Sequence, residues 1–501
     1  MEPPAYGSAL GLDYESIRKT PLEHIAPFVG EFLGTWLVVF TAGLISILGD
    51  PIWNATALAA ILTVCVYVFG PVTGGHFNPA VSFASALVGK ESWSKMVVYV
   101  TVQVLAALLA GAAYSTAFGQ STVIGPSEAY AGTSYPGFVE AFYTAVMCFV
   151  ALNVVYSRRN NPRDDQNHFF ALAVGFVYVA GGHAAGNISG ACFNPAIAFG
   201  MDVPSYFSNV SALSSSGSWA FAYTAFQLMG AVAAALLFRL CRPEELHYEV
   251  DPYYEPSLVV KMLSEFLGTS VLVLTVGLNV VGKSTCTPWS AAAALMCMIY
   301  ALGNVSGAHF NPSVTLAVML SGRGKCPPLR ALAFAVAQSL AALLMACVIA
   351  GVHSHGPSAS ESFCLRPLTR TTSAGSENYW EPVFWSEFLF TFLLAFTVLS
   401  VATTTLTTSF TRQNFPFGLA IAACVTAGGF VGGSLNGGVM NPAVALGISS
   451  SCSMEPGNVQ APPSLYFWLF TLFEECGGLL AAFVFVLTHR HEYYAKQEQI
   501  A

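Results

Sequence analysis

The sequence predicts an all-α membrane protein made of two tandem bundles. Each bundle holds six transmembrane helices and two half-helices, related internally by inverted repeats. Three observations predict this. Only 9% of the 501 residues are charged and 54% are hydrophobic, whereas a soluble domain carries about 25% charged residues. Residues 51–89, 166–201, 203–238, 284–322 and 413–454 contain no Asp, Glu, Lys or Arg. A set of short motifs occurs twice in the same order, at offsets of 233 to 247 residues.

A bilayer core about 30 Å thick takes roughly 20 apolar residues per helix, and lipid offers no partner to unpaired backbone groups. Six helices are expected near 25–48, 54–70, 93–118, 135–157, 168–186 and 217–240. Six more are expected near 258–282, 287–303, 327–352, 381–402, 416–433 and 463–488. The polar residues 1–23 and 491–501 read as tails, and the charged, Pro- and Tyr-rich stretch 242–257 as a linker between units 24–241 and 258–490. The first twenty residues lack the apolar core of a cleavable signal peptide. The net charge of −8 comes without a basic patch, which argues against nucleic acid as a partner. Twelve cysteines are scattered without a CxxC pair. Those in apolar runs, such as Cys65, Cys148, Cys297, Cys347 and Cys424, are expected to be free and to act as small hydrophobes.

Lys and Arg set the expected orientation. With the N-terminus inside, sixteen of the nineteen fall on inside segments, and only Lys283, Arg366 and Arg370 on outside loops. Both termini are therefore expected in the cytoplasm.

The repeats are specific. GGHFNPAVS at 74–82 returns as GAHFNPSVT at 307–315, and FNPAIAFG at 193–200 as MNPAVALG at 440–447. EFLGT occurs at 31–35 and 265–269, with weaker echoes around Glu140 and Glu387. The later copy is longer by about 13 residues, which the serine-rich stretch 354–378 can absorb. Three helices separate the halves of each copy, so the second half is inverted in the membrane. Inverted repeats of this kind bring discontinuous half-helices together near the midplane.

Asn-Pro suits the start of such a half-helix. Asn is a strong N-cap, and Pro at the first helical position loses no needed N–H. The four turns are Asn78-Pro79-Ala80, Asn194-Pro195-Ala196, Asn311-Pro312-Ser313 and Asn441-Pro442-Ala443. In each copy two positive dipole ends would converge and oppose cations and protons. Asn amide N–H groups left over from capping would face the pore and bind a passing oxygen.

In motif, order, spacing and topology the chain resembles the aquaporin (major intrinsic protein) family across about residues 24–490, with two complete units in one polypeptide. The resemblance implies that Asn78 and Asn194 line one pore, and Asn311 and Asn441 another. It implies that His76 and His309 brace the first loop of each unit, and that Glu31, Glu140, Glu265 and Glu387 hold the motif loops by hydrogen bonds. It implies no cofactor. The partners would be water and small uncharged solutes, the lipid bilayer, and a second copy that completes a four-pore pseudo-tetramer.

The chain departs from the family at its selectivity filter. Most members place Arg directly after the second motif, where this chain has Ile197 and Val444. Family spacing assigns the remaining filter positions to Leu58, Gly182 and Ala191 in the first unit, and to Ala291, Gly429 and Gly438 in the second. Both filters read as wide and apolar, suited to glycerol, urea or ammonia besides water, as in the plant vacuolar branch. A shift of one residue turns a helix by about 100° and would bring His183 or Phe430 in instead. For His183 a packed or capping role is the expectation.

Glu474 and Glu475 lie in the last span, where Gln227 of the first copy aligns opposite Glu475. Asn54 and Asn209 begin N-glycosylation sequons. The run 158–165 reads as a solvated loop or a gating loop. A passive channel competes with a proton-coupled secondary transporter of twelve spans and with a non-conducting structural membrane protein. The expected location is the plasma membrane or an internal, vacuolar-type membrane.

Overall fold

The computed structural model describes residues 21–162, 166–207, 219–246, 254–372, 375–404, 416–435, 437–454 and 464–493. The Asn209 sequon and most of both tails lie outside these residues.

The first copy contains α1 (Pro21–Leu48), α2 (Asn54–Thr73), the short α3 (Pro79–Leu87), α4 (Trp93–Phe118), α5 (Tyr135–Ala151), α6 (Phe170–Ser189), the short α7 (Pro195–Phe207) and α8 (Trp219–Cys241). The second contains α9 (Leu258–Val281), α10 (Thr287–Ser306), the short α11 (Pro312–Leu320), α12 (Pro328–His355), α13 (Glu381–Ala402), α14 (Pro416–Gly433), the short α15 (Pro442–Ser453) and α16 (Ser464–Thr488). Among the described residues eleven helices are long and apolar enough to cross a membrane. The twelfth expected span is α14, which has 18 residues.

Three helices run three residues past their expected ends, and the cause is local. The expected spans end at Gly70, Gly186 and Gly303, which lie inside α2, α6 and α10. The true stops are Gly74, Gly190 and Gly307, with φ of 95°, 85° and 99°. Each donates its N–H back to the carbonyl of that earlier glycine. Only glycine takes this left-handed cap without steric cost.

The copies pack through α5 and α6 of the first against α9 and α10 of the second. Some of the polar groups buried at this seam pair across it. Ser290 Oγ donates to the Ala180 carbonyl at 2.7 Å, and the Tyr143 and Thr275 hydroxyls lie 3.0 Å apart. Phe169 stacks on Tyr300 with ring centroids 4.2 Å apart.

The described residues 158–162 of the charged run and 242–246 of the linker are not free solvated segments. A short turn, Pro243–Leu246, follows α8, and Glu244 is buried. Glu245 accepts from Lys90 Nζ at 2.8 Å and from Arg158 Nε at 3.1 Å. Arg242 is fully buried and donates to Asn153 Oδ1 and to the Ala301 carbonyl, each at 2.9 Å. Asn160 and Asn167 are buried as well, and Asn304 of the second copy donates to Asn160 at 2.6 Å. A buried amide or guanidinium needs partners; here Asn153 and Val154 of the first copy supply some, and Ala301 and Asn304 of the second supply others.

Two features of the second copy escaped the sequence reading. The 354–378 stretch contains a hairpin, β1 (Leu368–Thr372) paired antiparallel with β2 (Gly375–Tyr379). Cys364, in the same excursion, forms a disulfide with Cys452 at the end of α15, with Cα atoms 5.4 Å apart. The five cysteines named in apolar runs are free, and this pair lies outside that set. Its two members are 88 residues apart, and only the fold brings them together.

Two outcomes are expected. A disulfide closing so long a loop contributes about 2–4 kcal/mol. Cys364→Ser therefore lowers the thermal midpoint, and reductant produces the same shift in the parent but none in the variant. Burial alone would raise the Glu245 carboxyl, but Lys90, Arg158 and Ser157 outweigh it and hold it below the ordinary glutamate value. A lowered folded value contributes stability above the unfolded value and loses it as pH falls toward the folded one. Thermal melts from neutral to acid pH should accordingly be shallower in Glu245→Gln than in the parent.

Candidate functional site

Each short helix begins at its Asn-Pro turn. Asn78 is extended (φ −155°, ψ 117°), and its Oδ1 accepts the Ala80 N–H at 2.9 Å. Asn194 caps Ala196 at 2.9 Å, Asn311 caps Ser313 at 2.9 Å, and Asn441 caps Ala443 at 3.0 Å. Pro occupies the first helical position in all four.

The turns meet in pairs through reciprocal hydrogen bonds. Asn78 Nδ2 donates to the Phe193 carbonyl at 3.1 Å, and Asn194 Nδ2 to the Phe77 carbonyl at 2.9 Å. In the second copy Asn311 donates to Met440 at 2.8 Å and Asn441 to Phe310 at 2.9 Å. A carboxamide carries two N–H donors. The sequence reading left both for the pore, but the crossing bond uses one of them.

The residue before each Asn sits in the left-handed region: Phe77 at φ 46°, Phe193 at 52°, Phe310 at 50° and Met440 at 54°. For a bulky side chain this is strained. A buried carboxylate holds it there. Glu31 accepts the His76 and Phe77 N–H groups, both at 2.9 Å, and Glu140 accepts those of Cys192 and Phe193 at 3.0 and 2.8 Å. Glu265 accepts His309 and Phe310 at 3.0 and 2.7 Å. Glu387 accepts Gly438, Val439 and Met440. All four carboxylates are fully buried. The EFLG pattern also gains a reason. A Cβ on Gly34 or Gly268 would collide with the ring of Phe77 or Phe310.

The histidines join the same scaffold. His76 Nδ1 lies 2.8 Å from Ser82 Oγ, and His309 Nδ1 lies 3.1 Å from Thr315 Oγ1.

Two cavities open beside the motifs. One, of about 450 Å³, is lined by Leu58, Gly182, Ala191 and Ile197. The other, of about 570 Å³, is lined by Ala291, Gly429, Gly438 and Val444 together with Asn311 and Asn441. Each group of four positions thus surrounds one cavity. His183 and Phe430 line the same cavities. His183 Nε2 is buried and has no hydrogen-bond partner among the described residues. Gly182 has a second task, because a Cβ there would lie 2.6 Å from the Ala55 side chain where α6 crosses α2. Asn54 starts α2 and also lines the first cavity.

The family model described as "Major intrinsic protein" matches residues 19–210, 140–281 and 253–485. The chain belongs to the major intrinsic protein family. It is 32% identical over 225 residues to "Glycerol uptake facilitator protein-like 6" of Lactiplantibacillus plantarum, covering 44% of this chain and 99% of that protein. It is 28% identical over 250 residues to "Aquaporin-10" of Homo sapiens, covering 46% of this chain and 77% of that protein. A crystal structure of "the aquaglyceroporin from Plasmodium falciparum" aligns at 20% identity and a TM-score of 0.37, covering 43% of this chain and 95% of that one.

Within this major intrinsic protein, three glutamines complete the carboxylate network; Gln103 and Gln338 were missed in the sequence, and Gln227 was read there only as the counterpart of Glu475. Gln103 donates to Glu31 at 2.8 Å, Gln338 to Glu265 at 2.9 Å and Gln227 to Glu140 at 2.9 Å. The fourth such place holds Glu474. It lies 87 residues after Glu387, as Gln227 lies 87 after Glu140. The counterpart of Gln227 is therefore Glu474 and not Glu475, a correction by one position that changes the helix face. Glu474 Oε1 accepts the Asn441 N–H at 2.9 Å, and its Oε2 has no hydrogen-bond partner among the described residues. Two buried carboxyl groups stand where the other three sites pair a carboxyl with a carboxamide.

A stranded buried donor costs about 1–3 kcal/mol. Glu265→Ala strands the His309 and Phe310 N–H groups, so its thermal midpoint in detergent should fall well below that of the parent. Glu474→Gln recreates the Glu140–Gln227 pair, and the same melt should place its midpoint at or above the parent's.

Proposed function

We propose that the chain is a passive transmembrane channel for water and small neutral solutes, with glycerol, urea or ammonia among them. The observation that carries this reading is the pair of crossed Asn-Pro turns in each copy, with two half-helix N-termini facing one another. Each Asn keeps one amide N–H beyond its crossing bond, a donor suited to the oxygen of an uncharged solute. The converging dipole ends disfavour cations. Membership of the major intrinsic protein family supports the same reading, as do relatives named as a glycerol uptake facilitator and an aquaporin.

The solute class follows from the filter positions. Ile197 and Val444 supply no cation and no donor. With Leu58, Gly182 and Ala191, and with Ala291, Gly429 and Gly438, they form apolar rings at the cavity walls. Water held by such a ring loses hydrogen bonds that apolar walls do not replace, whereas the methylenes of a polyol fit it. The units are 24–241 and 258–490, joined by 242–257, with both termini cytoplasmic.

A homodimer completes the assembly in this reading. Helices α5, α6, α9 and α10 are mostly buried where the copies meet. Their counterparts α13, α14, α1 and α2 expose large apolar side chains such as Trp385, Leu389, Val431, Val29, Leu33, Val64 and Val68. A second chain related by a twofold axis would set α13 and α14 of each against α1 and α2 of the other, repeating the seam already present within the chain.

Proteoliposomes should swell in glycerol or urea gradients faster than protein-free vesicles, and shrink faster in a sucrose gradient. Asn311→Asp, which removes the donor and adds a negative charge, should slow both. Accumulation of solute against its gradient when a pH difference is imposed would instead establish a coupled transporter. Native mass spectrometry should find two chains per particle, and a spectrum of monomers alone would exclude the dimer.

A further inference from the structure

The copies share one scaffold, yet their pores are filled differently at two matched positions. Tyr178 lies 16 residues before Asn194, and Val425 lies 16 before Asn441. Tyr178 is 1% exposed, and its hydroxyl donates to the Cys192 carbonyl at 2.9 Å. Its ring stacks on Phe193, with centroids 5.9 Å apart. Cys192 belongs to the segment entering the second Asn-Pro turn, so the phenol takes a backbone acceptor beside Asn194. Tyr178 and Ile197 line the 450 Å³ cavity, and neither Asn78 nor Asn194 does. In the second copy Val425 lines the 570 Å³ cavity, which reaches Asn311, Asn441 and His309.

The second position is at the other side of the turns. Tyr156 lies 16 residues after Glu140, and Thr403 lies 16 after Glu387. The Tyr156 hydroxyl is hydrogen-bonded to His76 Nε2 and lies beside Gly74. Thr403 instead bonds the Leu399 carbonyl at 2.6 Å and receives the Arg323 guanidinium, which leaves His309 facing the cavity.

We propose that the first copy is a closed pore, sealed by Tyr178 on one side of its Asn pair and by Tyr156 on the other, and that the second copy carries the flux of neutral solutes. This rests on the channel reading above. A solute file needs a continuous path of acceptors and donors. In the first copy two tyrosine hydroxyls already occupy the Cys192 carbonyl and the His76 ring nitrogen that a solute would use. Displacing either ring breaks a buried hydrogen bond and an aromatic contact together. Valine and threonine at the matched positions are smaller, and neither occupies the equivalent acceptor.

Exchanging the residues between copies tests the assignment. In proteoliposomes normalised for incorporated protein, Val425→Tyr should bring glycerol and water flux close to that of protein-free vesicles. Adding Tyr178→Val and Tyr156→Thr to that chain should restore flux through the first copy. In the parent background Tyr178→Val with Tyr156→Thr should raise flux by about twofold, since two pores then conduct. That arm does not depend on whether Val425→Tyr folds. In the otherwise unchanged chain Asn311→Asp should cut flux and Asn78→Asp should not. Equal losses from Asn78→Asp and Asn311→Asp would overturn the inference, as would full flux in a folded Val425→Tyr chain. Absence of flux in the parent and in the opened variant alike would instead overturn the channel reading.

Discussion

The structure depends on a buried carboxylate that holds one strained residue. Before each Asn-Pro turn the chain enters the left-handed region at a side chain that avoids it, and the adjacent glutamate binds the N–H groups that make this conformation stable. Once that residue is fixed, its carbonyl points at the opposite turn and receives the partner Asn amide. The crossing bonds, the capped half-helices and the facing dipole ends all follow from it. The neighbouring requirements follow too: Gly34 and Gly268 clear room for the phenylalanine rings, and Gln103, Gln227 and Gln338 supply the donors that the carboxylates lack. A charge fully buried in apolar surroundings would be costly unless every lone pair had such a donor.

Because the scaffold is held by residues behind the pore, the residues in front of it are free to differ. Glu31 and Glu265 have near-identical surroundings, as do the Asn turns they support. The walls have diverged: Leu58 against Ala291, Ile197 against Val444, Tyr178 against Val425 and Tyr156 against Thr403. The network itself has changed in one place, where Glu474 stands in for a glutamine. One fold thus hosts two cavities of different lining with little change to its own scaffold.

Joining the copies in one chain adds contacts that two separate chains would have to find by collision. The linker turn threads Glu245 between Lys90 and Arg158, and Arg242 reaches a carbonyl of the other copy. The long excursion of the second copy is tied down by the Cys364–Cys452 bond, and Phe363 and Leu365 beside it line the larger cavity. These ties anchor residues that wall the larger cavity.

The sequence by itself determined the duplication, the order of helices and half-helices, the Asn caps and the glutamates. These depend on residue type at fixed local spacing, and a helix cap or an apolar span is a local property. The same spacing held the position of Glu474, whose 87-residue offset was legible but was read one residue away. What only the tertiary structure decided depends on groups distant in the chain. The ends of α2, α6 and α10 turned on which of two nearby glycines took the left-handed cap. The Cys364–Cys452 pairing joined residues that nothing in their spacing connects. Which way Tyr178 and Tyr156 point could not be read from an apolar run, where an aromatic ring fits lipid, core or pore equally well. The choice was made by the carbonyl of Cys192 and the ring nitrogen of His76, and only folding brought those acceptors within reach.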